Sequence, residues 1–512
     1  MRKIDSYLSR IRETLVPRLM QKLTGIAFVK KVLLPGKARQ LSLEIPDVSY
    51  EEIKSLREPE MESRGTTSDC ISTDYVPGNE AGMSMPLLFH YLKGLDNLRG
   101  TEGEQLLRAI YELGWSVSNE LQSGLSPTRD AVGAAVDLLF AGAVFKGTRE
   151  GRGWVDQGVS LLEQELFRQI LGDGGSAEQS LGYHRYVLDS YWLATDFLER
   201  NGLADCGAWK TRLIDGERFL STFADTSGNV PSIGERYDRP VLAPGTYPKR
   251  ATEEYKENRP LVIFPTSGYT VIRSGNGIVL TLDHGPTGMA PHCRMGHADA
   301  LSITLSVAGE QILVDPGTYG SDEAPEWQRY FRGTRAHNTV MIDGHDQAVT
   351  EVDLLTCNPF TSRLVHASVK DGNPYVEAIH DGYGRLREPV THRRVVDFCS
   401  DSLFLIKDTF SGTGLHKFEL NLHLHPQATL IFKDTHSVIR RGEAEIAITL
   451  LGGRKFRTAC GEKTPPFGWY SLGPGMKDQA PVLSCAVTGS PEEVTFITAV
   501  SLGWKRPELE VD

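Results

Sequence analysis

Residues 286–347, PTGMAPHCRMGHADALSITLSVAGEQILVDPGTYGSDEAPEWQRYFRGTRAHNTVMIDGHDQ, decide the fold of this chain. After a polar opening, the stretch alternates between two kinds of side chain, and this period of two predicts a strand with one buried face. The side chains on that face are His297, Asp299, Leu301, Ile303 and Leu305. A second strand, QILVDPG, ends at Asp315 in a Pro-Gly turn that should expose the carboxylate. A third, AHNTVMIDG, begins with His337.

The polar ends of these predicted strands carry two imidazoles and a carboxylate. His297, Asp315 and His337 would suit a three-ligand zinc site with open positions. The other interpretation is that the histidines satisfy their hydrogen bonds at the rim of a sheet. The spacing alone leaves both interpretations open.

The composition is that of an ordinary globular protein. Its 512 residues are 40% hydrophobic, which is enough for two or three domains. The net charge of −11 and the pI near 5.8 predict no nucleic-acid partner, because such binding needs a basic surface. No apolar run reaches the length of a membrane span. An anionic substrate would need local Arg and Lys, and the composition leaves a homo-oligomer open.

Residues 1–80 form the first predicted region, an N-terminal amphipathic helix followed by a polar connector. The N-terminal segment lacks the uninterrupted apolar stretch and the small-residue cleavage site of an export signal, so we expect a cytoplasmic protein. Seven cysteines are scattered along the chain without a CxxC pair. This pattern predicts reduced thiols rather than a disulfide framework.

The rest of the chain predicts two domains of different class. In residues 81–258, apolar residues recur at i, i+3 and i+4 between short Gly-containing breaks, which favours an α/α layer or a toroid-like partial barrel. In residues 259–512, many short alternating segments separated by turns predict an antiparallel β-sandwich. The predicted fold class is therefore α+β and multidomain, with a ligand cleft expected between the two domains.

One helical segment, DGGSAEQSLGYHRYVLDSYWLA, is rich in hydrogen-bonding side chains. Ser176 is predicted to cap the helix, with Gln179 three residues later. The first turns would then carry Glu178, Gln179, Tyr183 and His184. These side chains either pack a helix whose polar groups are satisfied, or they include a tyrosine that moves a proton. The second interpretation requires a nearby cation, because the reference pKa of tyrosine is about 10.

Three segments, EQSLGYHRYVL, GHADALSITLSVAGEQILVDPGTYG and FRGTRAHNTVMIDGHDQ, resemble signature segments of the heparinase II/III-like polysaccharide lyases. That superfamily also includes heparan-sulfate and oligoalginate lyases. The resemblance implies a helical (α/α) toroid followed by an antiparallel β-sandwich. It also implies β-elimination, in which a base takes the C5 proton of a uronate and an acid protonates the departing O4 oxygen. The uronate carboxylate must be neutralised for that proton to leave.

The resemblance also assigns roles to individual residues. A tyrosine at the position of Tyr183 moves protons in the family, and Tyr319 matches a tyrosine that can line the cleft. Residues that match His297, Asp315 and His337 hold a zinc ion, which looks mainly structural.

Two departures from the family pattern affect the chemistry. Many members carry an HGH or HAH triplet whose first histidine is catalytic, but this chain has Met295 there, and methionine cannot transfer a proton. His292, three residues upstream, is a candidate to replace it. The second departure is Thr128-Arg129-Asp130, where members usually have Asn-Asn-His. Arg129 could pair a substrate carboxylate through two hydrogen bonds.

Further polar residues complete the candidate site. Arg332 and Arg335 would either neutralise an acidic sugar or form ordinary loop salt bridges. The candidate substrate-binding residues besides these are Glu178, Gln179 and Asn338.

The sequence therefore predicts a zinc-containing lyase that acts on an acidic, uronate-containing glycan. Tyr183 would be the acid, and also the base if the C5 proton and the leaving oxygen lie on one face of the sugar. His184 or His292 would assist it. One alternative is a repurposed enzyme of the same fold that acts on a small acidic metabolite or a glycan-biosynthesis intermediate. Another is a non-catalytic glycan-binding protein. The turn IGERYDRP, which contains Glu235, is left without a role.

Overall fold

The structure is a computed structural model that describes residues 101–122, 130–237, 248, 250, 257–290, 293–319, 324–351, 354–356, 360–433 and 436–502. The predicted N-terminal helix and polar connector lie outside these residues, as do Arg129 and His292.

Six α-helices occur among the described residues, together with a short 3-10 helix at Thr334–Ala336. They are α1 (Thr101–Gln122), α2 (Ala131–Val144), α3 (Arg149–Gln169), α4 (Leu181–Arg200), α5 (Gly207–Thr222) and α6 (Pro325–Arg332). The first five lie where the helical periodicity predicted them. Asp130 caps α2, because its carboxylate accepts from the Val132 N–H at 3.1 Å. None of these helices has the length and apolar character that a membrane span needs.

The described residues divide into two compact units. The first unit holds α1, α2, nearly all of α3, α4 from Tyr186 onward and the first half of α5. Within it, the Tyr191 hydroxyl donates to the Leu162 carbonyl at 2.7 Å. The rings of Phe140 and Phe197 stack with centroids 4.3 Å apart. Since α2 is buried on almost every side, these helices pack around a core of their own.

The second unit holds all the described strands, together with residues 169–185 and 214–237. The strands are β1 (Leu261–Phe264), β2 (Tyr269–Arg273), β3 (Ile278–Asp283), β4 (Ile303–Val307), β5 (Glu310–Leu313), β6 (Val340–Ile342), β7 (Val349–Glu351), β8 (Leu354–Thr356), β9 (Ser362–Lys370), β10 (Asn373–Tyr383), β11 (Val390–Ser400), β12 (Leu403–Gly412), β13 (His416–His423), β14 (Thr429–Phe432), β15 (Ser437–Arg441), β16 (Ala444–Leu450), β17 (Arg457–Ala459), β18 (Glu462–Lys463), β19 (Pro466–Phe467), β20 (Trp469–Gly473), β21 (Met476–Gln479), β22 (Val482–Gly489) and β23 (Thr495–Leu502).

Three larger antiparallel sheets build this unit. Strands β1 to β5 form a five-stranded sheet in sequence order. An eight-stranded sheet has the order β14-β15-β16-β23-β12-β11-β10-β9, and a four-stranded sheet has the order β17-β22-β13-β6. Leu280, Ile406 and Leu420, one from each sheet, belong to one hydrophobic cluster. The predicted α+β class is confirmed, whereas the toroid and the sandwich stay predictions.

The first strand predicted from the alternation begins later than expected. Strand β4 starts at Ile303, so His297, Asp299 and Leu301 lie in the irregular segment before it. Leu301 has a φ of +59°, and the Ser302 N–H donates to the Asp299 carbonyl at 2.8 Å. A strand cannot contain such a turn. The prediction of an extended backbone was therefore wrong for residues 297–302.

The state of the cysteines also differs from the prediction at one position. Cys293 is disulfide-bonded, whereas reduced thiols were expected throughout. The free cysteines among the described residues are Cys206, Cys399, Cys460 and Cys485.

Candidate metal centre and its surroundings

Four buried side chains of the second unit offer ligand atoms that all lie within 4.8 Å of one another: His297, Asp299, Asp315 and His337. The structure thus brings together the three residues proposed as zinc ligands, and Asp299 joins them. Two imidazoles and two carboxylates are ligands that zinc accepts.

The turn after β5 aims the carboxylate of Asp315 into this cluster. Gly317, with a φ of +70°, donates its N–H to Asp315 Oδ1 at 2.9 Å. The other oxygen, Oδ2, lies 3.6 Å from Nε2 of His337. One carboxylate oxygen is therefore held by the backbone, while the second faces the histidine.

Each histidine presents one ring nitrogen to the cluster and the other to an acceptor outside it. His337 donates from Nδ1 to the Gly333 carbonyl at 2.8 Å, because a carbonyl can only accept. His297 turns Nε2 toward the Glu235 carboxylate, with 3.6 Å between Nε2 and Oε1. The nitrogens that face inward, His297 Nδ1 and His337 Nε2, are 3.1 Å apart. This is the arrangement that fixes the tautomers of metal-binding histidines.

The distance between the two inward nitrogens fits a shared cation. Two nitrogens bound to one tetrahedral zinc at about 2.0–2.1 Å would lie roughly 3.3 Å apart. At 3.1 Å the two nitrogens either share a proton in a hydrogen bond or, with both lone pairs facing inward, need a cation between them. The donor set therefore fits a divalent cation such as zinc.

The electrostatics of the cluster also favour a cation. Burial raises the pKa of Asp315 to about 7, with the charge of Asp299 adding to the effect and that of His297 opposing it. Burial likewise raises the pKa of Asp299. Burial and the charge of His297 lower the pKa of His337, so this ring is neutral and can act as a ligand. Anionic carboxylates buried this closely need a compensating positive charge.

Glu235 and Arg332 adjoin the cluster from outside. Glu235 Oε1 lies 3.2 Å from Nε of Arg332 as well as 3.6 Å from His297. Burial alone would raise the pKa of Glu235, but the nearby His297 imidazole and the charge of Arg332 outweigh it, and the net pKa is lowered. Glu235 has no predicted role, because no local sequence pattern relates this turn to the distant His297.

The start of α4 carries Tyr183 and is capped differently from the prediction. Ser180 caps the helix, since its hydroxyl oxygen accepts from the Tyr183 N–H at 3.0 Å. The prediction of Ser176 as the cap was wrong, because Gln179 takes a φ of +56° and the helix begins only at Leu181. The ring of Tyr183 packs edge-on against Tyr237, with centroids 5.2 Å apart.

Comparison with family models identifies the chain's relatives. Residues 132–207 match the model described as heparinase II/III N-terminus, and residues 256–499 match the model described as heparinase II/III-like, C-terminal. The chain belongs to the heparinase II/III-like family. The family resemblance carried by the sequence segments is thereby confirmed.

Individual relatives are similar to this heparinase II/III-like chain at low sequence identity. A heparin-sulfate lyase of Bacteroides stercoris is 24% identical over 314 residues, which are 56% of this chain and 44% of that protein. A heparin-sulfate lyase of Bacteroides thetaiotaomicron is 22% identical over 328 residues, 56% of this chain and 45% of that protein. The chain thus spans less than half the length of these curated relatives. The crystal structure of heparinase III superposes with a TM-score of 0.64 at 16% identity, covering 88% of this chain and 72% of that one.

Three other candidate residues of this heparinase II/III-like chain are buried at or just before the start of α4. His184 is buried, its ring packs edge-on against Phe219 at 5.3 Å, and burial lowers its pKa to about 3. Gln179 is buried and donates to the carbonyls of Ser176 and Ser267, both at 3.0 Å. Glu178 is buried as well.

The polar residues around α6 make contacts within the protein. Arg332 donates to the Arg294 carbonyl at 2.7 Å. Arg335 pairs with Glu419 at 3.1 Å and stacks over Phe467. Asn338 is fully buried, where its amide donates to the carbonyls of Ile303 and Val314 at 2.7 and 3.0 Å. These side chains connect the loops and strands that surround the candidate metal centre.

Tyr319 lies beside Lys477, a residue that no sequence pattern singles out. The Lys477 ammonium is 3.4 Å from the Tyr319 hydroxyl and 4.5 Å from the centre of its ring. It also lies 4.1 Å from the ring centre of Trp327. Because Lys477 is far in sequence from Tyr319 and Trp327, no local sequence pattern predicts that these three side chains are in contact.

Proposed function

We propose that this protein is a polysaccharide or oligosaccharide lyase that cleaves uronic-acid glycosidic bonds by β-elimination. Membership of the heparinase II/III-like family supports this, as do relatives named heparin-sulfate lyases. We also infer that its helices form an (α/α) toroid and its sheets a β-sandwich. The substrate class would be glycans that contain uronic acid.

A chain of hydrogen bonds between the tyrosine helix and the metal cluster carries the proposal. The Tyr183 N–H donates to the Ser180 hydroxyl, and that hydroxyl donates to the Glu235 carbonyl at 2.6 Å. The Glu235 N–H in turn donates to the Met295 carbonyl at 2.7 Å, two residues before His297. Tyr183 and the four cluster residues thus belong to one unit of the molecule, which supports a shared site.

Tyr183 would perform both proton transfers. As a phenolate it would take the C5 proton, whose bonding electrons would form the C4–C5 double bond. The C4–O bond would break, and its oxygen would leave with the proton that Tyr183 returns. The products would be an unsaturated uronate and a free hydroxyl, and no oxidant or water would be consumed. A single residue suffices when the proton and the leaving oxygen lie on the same face of the sugar.

The metal would serve mainly to hold the structure. His297, Asp315 and His337 would bind it, with Asp299 as a fourth donor. When bound, a zinc ion would compensate the buried carboxylates and tie together three segments that lie far apart in sequence.

Met295 favours a second candidate function. Its side chain stands where many family members have a catalytic histidine, and a thioether cannot accept a proton. The same fold could therefore act on a small acidic metabolite or on a glycan-biosynthesis intermediate rather than on a polymer.

The test is the ultraviolet absorbance of an unsaturated uronate, followed during incubation with heparan sulfate, heparin, chondroitin, hyaluronan and alginate. Each glycan is supplied as polymer and as short oligomers, with a carboxyl-reduced form as the matched control. We expect absorbance to rise on at least one native glycan and on none of the reduced forms, because elimination needs the carboxylate. A flat trace on every glycan, from folded and zinc-loaded protein, would contradict the proposal in favour of the second candidate.

A further inference from the structure

The turn at residues 233–237 takes no part in the proposed proton transfers, yet it contacts each segment around the site. Its Glu235 backbone bonds to Met295 on one side and to Ser180 on the other, at 2.7 and 2.6 Å. The next residue, Arg236, donates its N–H to Thr318 Oγ1 at 3.0 Å. The turn therefore connects the segment before His297, the start of α4 and the loop after Asp315.

The side chain of Glu235 faces the metal cluster through His297. Its Oε1 lies 3.6 Å from Nε2 of His297, the nitrogen that points away from the cluster. A carboxylate at this position favours the proton on Nε2 and leaves the lone pair on Nδ1, which faces His337. Carboxylate partners of this kind orient a metal-binding imidazole and raise its basicity.

Arg332 holds the Glu235 carboxylate in place. Its Nε lies 3.2 Å from Glu235 Oε1, and its Nη2 donates to the Arg294 carbonyl at 2.7 Å. The Ala298 N–H also donates to the Arg332 carbonyl at 2.9 Å. Arg332 is thus bonded to Arg294 before His297 and to Ala298 after it. The Glu235 carboxylate, which pairs with Arg332, therefore has a defined position relative to the His297 ring.

We propose that Glu235 is a positioning residue of the metal centre. Its side chain orients His297 for metal binding. Its backbone hydrogen bonds hold the segment that contains Met295 and His297 in a fixed position relative to the helix that carries Tyr183. The inference rests on the proposed function in that both concern one site, but metal binding is measurable without turnover. The role of Glu235 and the proposed lyase function can therefore be contradicted independently of each other.

The decisive variant is Glu235→Gln, which keeps the size of the side chain and all the backbone hydrogen bonds of the turn. The zinc dissociation constant is measured on the full chain by competition with a chromophoric chelator. We expect the variant to bind zinc about 10–100-fold more weakly, the usual effect of removing an outer carboxylate. Glu235→Asp, which retains the charge, should recover part of the loss.

The matched control is Glu217→Gln, since Glu217 is also buried in this unit and pairs with Arg185 at 3.0 Å. Its ion pair with Arg185 does not involve the four cluster residues, so zinc affinity should stay unchanged. Thermal unfolding of the metal-free proteins separates a loss of folding from a loss of affinity.

Several outcomes would overturn the inference. If Glu235→Gln binds zinc as tightly as the unaltered chain, or loses no more affinity than Glu217→Gln, Glu235 does not position His297. An unaltered chain that binds no zinc removes the metal assignment, and the inference with it. A chain that binds zinc as expected but eliminates no glycan contradicts only the proposed function.

Discussion

Arg394 and Asp408 form a fully buried ion pair directly across the β11–β12 ladder. Two guanidinium nitrogens of Arg394 donate to the two carboxylate oxygens of Asp408, at 2.7 and 3.1 Å. The remaining nitrogen donates to the carbonyls of Leu301 and Asn338, at 2.7 and 2.5 Å. These carbonyls lie one or two residues from the cluster residues Asp299 and His337. The pair therefore joins the eight-stranded sheet to two segments of the candidate metal centre.

Replacing Asp408 with Asn should destabilise the fold strongly. The amide keeps the shape but leaves the Arg394 charge buried without a counter-charge, which costs about 3–5 kcal/mol. The measurement is the free energy of unfolding in urea, in the presence of a chelator so that metal binding does not contribute. Glu445→Gln, in the exposed ion pair with Arg440, is the control and should change stability by less than about 1 kcal/mol. Equal effects of the two substitutions would contradict this role of the buried pair.

The same pair predicts how stability depends on pH. Burial alone would raise the pKa of Asp408, but the charge of Arg394 and the hydrogen bond from His392 hold it at about 2. The unfolded value is about 3.9. Because the folded pKa is the lower one, the contribution is fully present above the unfolded value and is lost as the pH falls through about 2. Urea unfolding between pH 5 and 2 should show this loss in the unaltered chain, and a smaller slope in Asp408→Asn. An identical slope would show that other carboxylates govern acid unfolding.

The two carboxylates of the candidate metal centre should contribute unequally to zinc binding. Gly317 holds one oxygen of Asp315 and leaves the other facing His337, so this ligand is already oriented. Asp299 lies in the irregular segment before β4 and was not among the predicted ligands. We expect Asp315→Asn to weaken zinc binding by on the order of tenfold more than Asp299→Asn. Chelator competition on both variants measures this, and the reverse order would make Asp299 the principal carboxylate ligand.

The sequence predicts those features of this protein that depend on local patterns. The apolar periodicity of α3 and α4 marks helices long enough to be recognised, and the Pro-Gly turn marks Asp315 as a carboxylate at a strand end. The strand predicted at His297 fails because one residue, Leu301, takes a left-handed conformation that alternation does not reveal. The prediction of Ser176 as the N-cap was wrong for the same reason, because Gln179 also takes a left-handed conformation.

Contacts between distant residues explain what the sequence could not predict. Glu235 meets His297, and Lys477 meets Tyr319, only because several strands and turns place them together. In the sequence alone, Arg394 is one of several charged residues in a predicted strand of alternating pattern. Its burial becomes visible only when its partners Asp408, Leu301 and Asn338 are known. Residues that depend on tertiary contacts in this way carry no signal in a single sequence.

Tyr183→Phe should abolish elimination without unfolding the protein. The substitution removes only the hydroxyl, so the edge-on contact with Tyr237 and the bond from the backbone N–H to Ser180 both remain. Since a general acid/base contributes about 10²–10⁴-fold to a rate, we expect kcat to fall within or beyond that range while zinc affinity stays unchanged. The matched control is Tyr237→Phe, which alters the neighbouring ring in the same way and should retain most of the activity. If Tyr183→Phe retains activity within about tenfold of the unaltered chain, the proton transfers belong to another residue. Tyr319, with its hydroxyl 3.4 Å from the Lys477 ammonium, would then be the next to test.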